Sequence, residues 1–283
     1  IADWLVGLGG YGGGSGLEPF LTHPEWRDDG DIPREPVETS YRKYYPAARM
    51  WRVRRERTSA TLAEGLDTPF SLRHGAAELS AVRVSSTYFA TGRFVGCDMA
   101  PIEGDRGARL HHAGANTLYP EKAYDRPIYW LPIGDGTIVD ASNWQEVRGR
   151  RSTFELPPMA IDIEVSETGD NTTEGAAFEL RVTTAGGVDG VPVQLEMLFE
   201  PGGTIEVEGA IVEAHAGTTM FLKGGEAVFR VGDDEIVVGP GHCAHTTWKM
   251  HNSPGAPEAF RLLITLLSPV DHALQIRTKQ FRA

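Results

Sequence analysis

From residue 50 onward the chain is a succession of short segments in which apolar and polar residues alternate. Examples are "AELSAVRVSS", "AIDIEVSE" and "AAFELRVTTAGG". A period of two places one set of side chains on each face of a β-strand. Turn signals such as Gly-Gly, Gly-Asp-Asp and Pro-Gly-Gly separate many segments, and no convincing helical pattern lies between them. About a dozen such strands predict an all-β fold, a large antiparallel β-sandwich.

Two of these segments allow more detailed predictions. In "EAVFRVGDDEIVVG" the Gly-Asp-Asp turn predicts a hairpin, with Ile236 and Val238 of its second strand facing the core. The segment "FRLLITLL" has little alternation, which is typical of a strand that is covered on both faces. We therefore expect it to run through the middle of a sheet.

The first 47 residues have a different texture. Residues 1–8 have the pattern of a short helix, and the glycine-rich run "GLGGYGGGSG" ends it. This run follows no strand and lacks the Lys-Ser/Thr ending of a phosphate-binding loop, so it is interpreted as a linker. A proline-dotted stretch follows. We predict that residues 1–47 are a helix remnant and an irregular connector, and that residues 48–283 form the sandwich.

Charge and composition narrow the partners. The chain has 27 Lys and Arg against 39 Asp and Glu, a net charge of −12, which argues against nucleic acid as the main partner. No apolar run reaches the roughly 18 residues of a membrane span. Cys97 and Cys243 are too few for a disulfide framework. The first segment is a poor signal peptide, so a secreted, periplasmic or cytoplasmic location stays open, and we expect the chain to be a piece of a longer protein.

The stretch "GPGHCAHTTWKMHN" concentrates three histidines within ten positions. His242 and His245 are close enough to share an ion such as zinc, whereas an extended backbone would place His251 about 20 Å from His245. A complete site would need donors from elsewhere, and His111, His112 and His215 are the candidates. Three interpretations stay open: a zinc or other divalent metal site, a rim of hydrogen-bonded or exposed histidines, and a sugar contact to which Trp248 adds an aromatic face.

The densest basic cluster lies at the start of the predicted sandwich, in "RMWRVRRER". On a strand, Arg52 and Arg54 share one face, and Trp51 and Val53 share the other. This pattern fits a solvated sheet face. It also fits a pair of guanidinium forks for uronate or sulfate groups, which match arginine better than lysine.

Several phrases of the sequence resemble the C-terminal β-sandwich domain of heparinase II/III-like polysaccharide lyases. These phrases are "YRKYYPAARMWRVRRERTSATL", "FSLRHGAAELSAVRVSSTYFATGRF", "FEPGGTI" and "FLKGGEAVFRVGDDEIVVGPGHCAH". The resemblance implies β-elimination at a uronic acid in an acidic polysaccharide or oligosaccharide. That reaction needs a group that offsets the carboxylate charge, a base and an acid.

In this family much of the catalytic equipment lies in a helical toroid domain, which this chain does not contain. The resemblance therefore implies a module that contributes to binding and elimination but is incomplete for catalysis alone. Its expected catalytic residues are His242 and His245, and its expected substrate-binding residues are Arg52, Arg54, His111, His112 and Trp248. One alternative is a non-catalytic carbohydrate-binding or structural module. Another is a metal-dependent cupin-like enzyme, since His215 follows Gly209 with the spacing of a first cupin histidine.

Overall fold

The computed structural model describes residues 39–88, 93–114, 128–130, 142–143, 153–155, 157–169, 175–250 and 253–280. These residues belong to the unit Thr39–Ala283, whereas the unit Ile1–Glu38 lies outside the described residues. The helix predicted for residues 1–8, most of the predicted connector and His251 also lie outside them.

Two large sheets build the described part of the chain. The eight-stranded sheet has the order β1-β2-β3-β4-β5-β12-β18-β15. Its strands are β1 (Ser40–Tyr45), β2 (Met50–Arg55), β3 (Thr58–Ala63), β4 (Phe70–His74), β5 (Ala77–Ser86), β12 (Pro192–Phe199), β15 (Thr219–Phe221) and β18 (Phe260–Leu267). All its pairings are antiparallel except that of β15 with β18.

The nine-stranded sheet has the order β14-β13-β16-β17-β19-β11-β10-β7-β6. Its strands are β6 (Cys97–Pro101), β7 (Gly107–His112), β10 (Met159–Glu167), β11 (Ala177–Gly186), β13 (Thr204–Val207), β14 (Ala210–Glu213), β16 (Ala227–Val231), β17 (Asp234–Gly239) and β19 (Asp271–Gln280). A separate two-stranded sheet pairs β8 (Ile128–Trp130) with β9 (Thr153–Glu155). A 3₁₀ turn, Glu103–Asp105, is the only helical element among the described residues, and no described helix has the length and apolar character needed to cross a membrane.

Aromatic side chains from both large sheets meet in the core between them. Trp51 of β2 packs edge-on against Phe178 of β11, with ring centroids 6.4 Å apart. Phe199 of β12 and Phe229 of β16 approach to 4.7 Å. All four are fully buried. Because aromatic pairs of this geometry add to the free energy gained by burial, they hold the two sheets face to face.

The predicted all-β sandwich is confirmed. The hairpin β16–β17 forms as expected, with Ile236 and Val238 buried, and β18 is buried along nearly its whole length. One difference lies at the start. β1, Ser40–Tyr45, pairs with β2 inside the stretch interpreted as connector, so the sheet begins before residue 48. Its sequence SYRKYY is polar on both faces, which hides the strand from a hydrophobic pattern.

Candidate functional site

The first four strands carry positive charge and no carboxylate. Their sequences are SYRKYY, MWRVRR, TSATLA and FSLRH, which contain arginine and lysine but neither Asp nor Glu. This composition contrasts with that of the whole chain, whose net charge is −12. The eight-stranded sheet therefore has a local basic region within an acidic protein.

Alternation divides these side chains between the two faces of the sheet. In β2, Trp51 and Val53 are buried in the core, whereas Arg52 is exposed and Arg54 is half-buried on the outer face. This is the orientation predicted from the sequence. The strand register places further outward residues beside them. We call this set the basic face: Tyr41, Lys43, Tyr45, Arg52, Arg54, Ser59, Thr61, Ser71 and Arg73.

Three cations of the basic face lack a carboxylate partner. Among the described residues, none of Lys43, Arg52 and Arg54 is within ion-pair distance of an acid, and Lys43 lies 5.1 Å from the ring centroid of Tyr45. Arg73 lies at the margin, where it donates to the carbonyl of Gly75 and is 3.9 Å from Glu78. The face thus offers cationic donors together with serine, threonine and tyrosine hydroxyls.

The inward arginines of the same strands, in contrast, form ion pairs with a carboxylate. Arg42 donates to Glu167 at 3.0 Å, and Arg55 donates to the same carboxylate at 2.8 Å. Glu167 comes from β10 of the opposite sheet and is almost fully buried. A buried carboxylate requires such partners, because an unpaired buried charge is costly. These arginines therefore link the two sheets and are not free to bind a ligand.

The predicted histidine turn lies on the same outer face, above β12 and β18. We call residues 240–250 and 253–259 the strap. The side chain of Gln194 donates to the carbonyl of Thr247, Thr265 donates to that of His245, and Arg83 donates to that of Pro254. Under the strap, the buried Glu196 accepts a hydrogen bond from Arg261. The strap is thus fixed to the sheet by polar groups.

His245 uses both of its ring nitrogens to hold the strap. Nδ1 accepts from the amide of Thr247 at 3.3 Å, so Nε2 carries the proton and donates to the carbonyl of Val193 at 3.1 Å. Neither nitrogen has a lone pair left for a metal. The described residues contain no group of three or more His, Cys, Asp or Glu side chains placed to hold a metal ion, so they do not fit the zinc alternative.

His242 is exposed at the start of the strap and lies near His272 of β19. The pKa of His272 is lowered, first by burial and then by the proximity of His242. Trp248 is 59% exposed further along the strap, and its backbone carbonyl accepts a hydrogen bond from Arg261. An exposed indole on an anchored segment can stack on a sugar ring.

His111 and His112 belong to the other sheet. His111 pairs with Asp162 at 2.9 Å on the outer face of the nine-stranded sheet. His112 is buried, its Nδ1 lies 3.1 Å from the carbonyl of Val95, and burial lowers its pKa. The structure therefore separates both histidines from Arg52 and Arg54, whereas Trp248 is on the same sheet as the two arginines.

Sequence reasoning identified Arg52 and Arg54 but not their neighbours on the basic face. The signal that would have found the rest is the absence of Asp and Glu from four successive strands of an acidic chain. His215, the candidate first cupin histidine, lies in the loop after β14, where it is exposed and pairs with Glu213 at 3.0 Å.

Comparison with known proteins adds no assignment. No protein-family model matches the chain, and no curated protein matches it significantly.

Proposed function

We propose that this chain is the β-sandwich module of a heparinase II/III-like polysaccharide lyase and that its basic face binds uronate-containing acidic polysaccharide. One observation carries the binding proposal: Lys43, Arg52 and Arg54 point outward without carboxylate partners among the described residues, in a chain with a net charge of −12. Three neighbouring outward cations without carboxylate partners leave a local positive potential, which attracts anionic ligands.

The chemistry of the face suits acidic sugars. A guanidinium presents a planar fork of N–H donors that matches a carboxylate or sulfate group. The hydroxyls of Ser59, Thr61 and Ser71 lie beside the arginines on the same face and can exchange hydrogen bonds with sugar hydroxyls. Neutral hydroxyl groups of this density favour a sugar polymer over nucleic acid, whose recognition depends mainly on a large positive surface.

The same contacts suggest which requirements of catalysis this chain meets and which it leaves to the toroid. β-Elimination requires neutralisation of the uronate carboxylate, a base for the C5 proton and an acid for the leaving oxygen. The basic face supplies the first requirement. His245 serves the strap with both ring nitrogens, and the proposed proton-transfer groups belong to a helical toroid outside this chain. The chain alone then binds the polymer without cleaving it.

A binding experiment with a matched control tests the proposal. Calorimetric titration with alginate or heparin is expected to show binding that weakens about tenfold in the double variant Arg52→Gln, Arg54→Gln, because two charge-assisted contacts are lost. The control is Arg109→Gln, Arg181→Gln on the outer face of the nine-stranded sheet. Equal losses in both variants, or no binding by the wild-type chain, would refute the proposal.

The structural use of His245 also favours a second candidate function, a purely carbohydrate-binding module. A second assay separates this candidate from the lyase module. Elimination creates an unsaturated uronate that absorbs in the ultraviolet. We expect no such absorbance from this chain alone, and a rise in absorbance when the full-length protein with its toroid meets the same polymer. If the full-length protein binds the polymer but gives no absorbance, the module serves binding only.

A further inference from the structure

The register of β1–β4 arranges the basic face in rows that run across the strands. The first row is Arg73, Ser59, Arg54 and Tyr41. The second row is Ser71, Thr61, Arg52 and Lys43. Neighbouring strands are about 4.8 Å apart, so each row is about 14 Å long. An extended pyranose residue advances a polysaccharide by about one such spacing.

Carboxylates limit two other paths over this face. Along the strands, Glu56 follows the end of β2, whereas Glu64, after β3, turns to the inner side of the sheet, where it accepts from the amide of Met99 in the opposite sheet. The first row continues to Glu78, which is the cross-strand neighbour of Arg73. An anionic polymer that runs along the strands to Glu56, or along the first row to Glu78, approaches a negative charge.

Within the part of the chain that the structure describes, the second row meets no such carboxylate. It begins at Lys43 on β1, the edge strand of the eight-stranded sheet, and crosses Arg52, Thr61 and Ser71. Beyond β4 lies β5, whose buried Ala81 is in one apolar cluster with Ala256 and Ala259 of the strap. The strap therefore bounds the row on that side, and no described strand continues the sheet beyond β1 on the other.

We propose that the acidic polysaccharide lies across the strands along this second row, between the edge of the sheet and the strap. This inference rests on the proposed function and adds the direction of the ligand. Arg52 and Lys43 bind acidic groups of the polymer, and the hydroxyls of Thr61 and Ser71 bind sugar hydroxyls. The row selects polymers that carry several acidic groups over a single charged sugar.

Two substitutions that each introduce a carboxylate distinguish a polymer lying across the strands from one lying along them. Ser71 and Ala63 are both small, half-buried and outward, and each is next to Thr61: Ser71 on the neighbouring strand, Ala63 two residues along β3. They lie about 10 and 8 Å from Arg52, so Ala63 is no farther away. In titrations with polyuronate of several sugar residues, Ser71→Glu is expected to weaken binding about tenfold, and Ala63→Glu about twofold or less.

The opposite charges provide a check that does not depend on loss of binding. Ser71→Lys is expected to strengthen polyuronate binding several-fold, and Ala63→Lys to leave it nearly unchanged. Thermal unfolding of all four variants shows whether the fold is retained, and if a glutamate variant fails to fold the lysine pair decides. A larger effect at Ala63 than at Ser71, or equal effects at both, overturns the cross-strand direction.

The remaining outcomes separate this inference from the proposed function. If the wild-type chain binds no acidic polymer, the proposed function fails and the direction fails with it. If the wild-type chain binds polyuronate and the Arg52→Gln, Arg54→Gln variant loses binding, but Ser71→Glu does not, only the direction fails. Tighter binding of a single-stranded DNA oligomer than of polyuronate under the same salt conditions overturns the choice of a sugar polymer.

Discussion

Arginines on the two faces of the first strands differ in whether they contact a carboxylate. Arg42 and Arg55 turn inward and share the buried carboxylate of Glu167 from the opposite sheet. Arg52 and Arg54 turn outward and find no carboxylate among the described residues. The outer face of the nine-stranded sheet resembles the first pair, because Arg181 there donates to Asp271. The comparison teaches that the inward arginines serve the contact between the sheets, whereas the outward Arg52 and Arg54 keep their donors available for a ligand.

The largest effect on stability is expected from removing the shared inward carboxylate. Glu167→Gln leaves Arg42 and Arg55 without the charge that compensates them. Breaking a buried ion pair typically costs about 3–5 kcal/mol, and a loss near 3 kcal/mol is expected because Arg42 is a third exposed. Urea unfolding measures the change, with Glu78→Gln on the outer surface as the control. A loss below about 1 kcal/mol would show that the inward arginines are not structural.

A smaller effect should come from the inner face at acidic pH. His74 is buried between the sheets, where its Nδ1 lies 2.8 Å from the hydroxyl of Thr58 and its Nε2 lies 3.8 Å from Asp234. Burial lowers its pKa from the ordinary 6.5, an effect that Asp234 partly offsets and Arg57 reinforces. At pH values below 6.5 the unfolded chain binds a proton that folded His74 resists, so stability falls as the pH falls.

His74→Gln removes this titration. We expect the free energy of unfolding of the variant to change less between pH 7.5 and pH 5.5 than that of the wild type, as measured by urea unfolding at each pH. The exposed His215→Gln serves as the matched control. The histidines at positions 112 and 272, whose pKa values are also lowered by burial, leave a residual slope in both proteins. An unchanged slope in His74→Gln would contradict the prediction.

The part of this comparison that could be predicted from the sequence is the local part. Alternation in MWRVRR is enough to place Arg52 and Arg54 on one face and Trp51 on the other. It does not identify β1, because the inward residues Arg42 and Tyr44 are polar and bond to Glu167 and to the carbonyl of Met99 in the other sheet. Such pairings join positions far apart in the chain.

The same limit explains why the sequence did not indicate which sheet and which contacts the histidines have. Alternation does not decide which sheet a strand joins, so His111 and Arg52 were predicted in one site although their strands lie in different sheets. The ring of His245 bonds to the carbonyl of Val193, which is 52 positions away. A sequence pattern around the histidine cannot show that this ring is already used. The chemical type of each residue can be read from the sequence. The residues that it contacts are known only from the fold.

The smallest effect on stability is expected from substitutions on the basic face itself. It tests the outward arginines, as the Glu167 variant tests the inward ones. Replacing Arg52 and Arg54 by glutamine removes no ion pair within the described residues, so the free energy of unfolding should stay within about 0.5 kcal/mol of the wild type. The same double variant should reduce the slope of log affinity for polyuronate against log salt concentration by about two, one for each cation removed. Titrations at several salt concentrations measure this slope. Because a merely structural role would lower stability and leave the slope unchanged, the two readouts together decide whether these arginines serve the ligand or the fold.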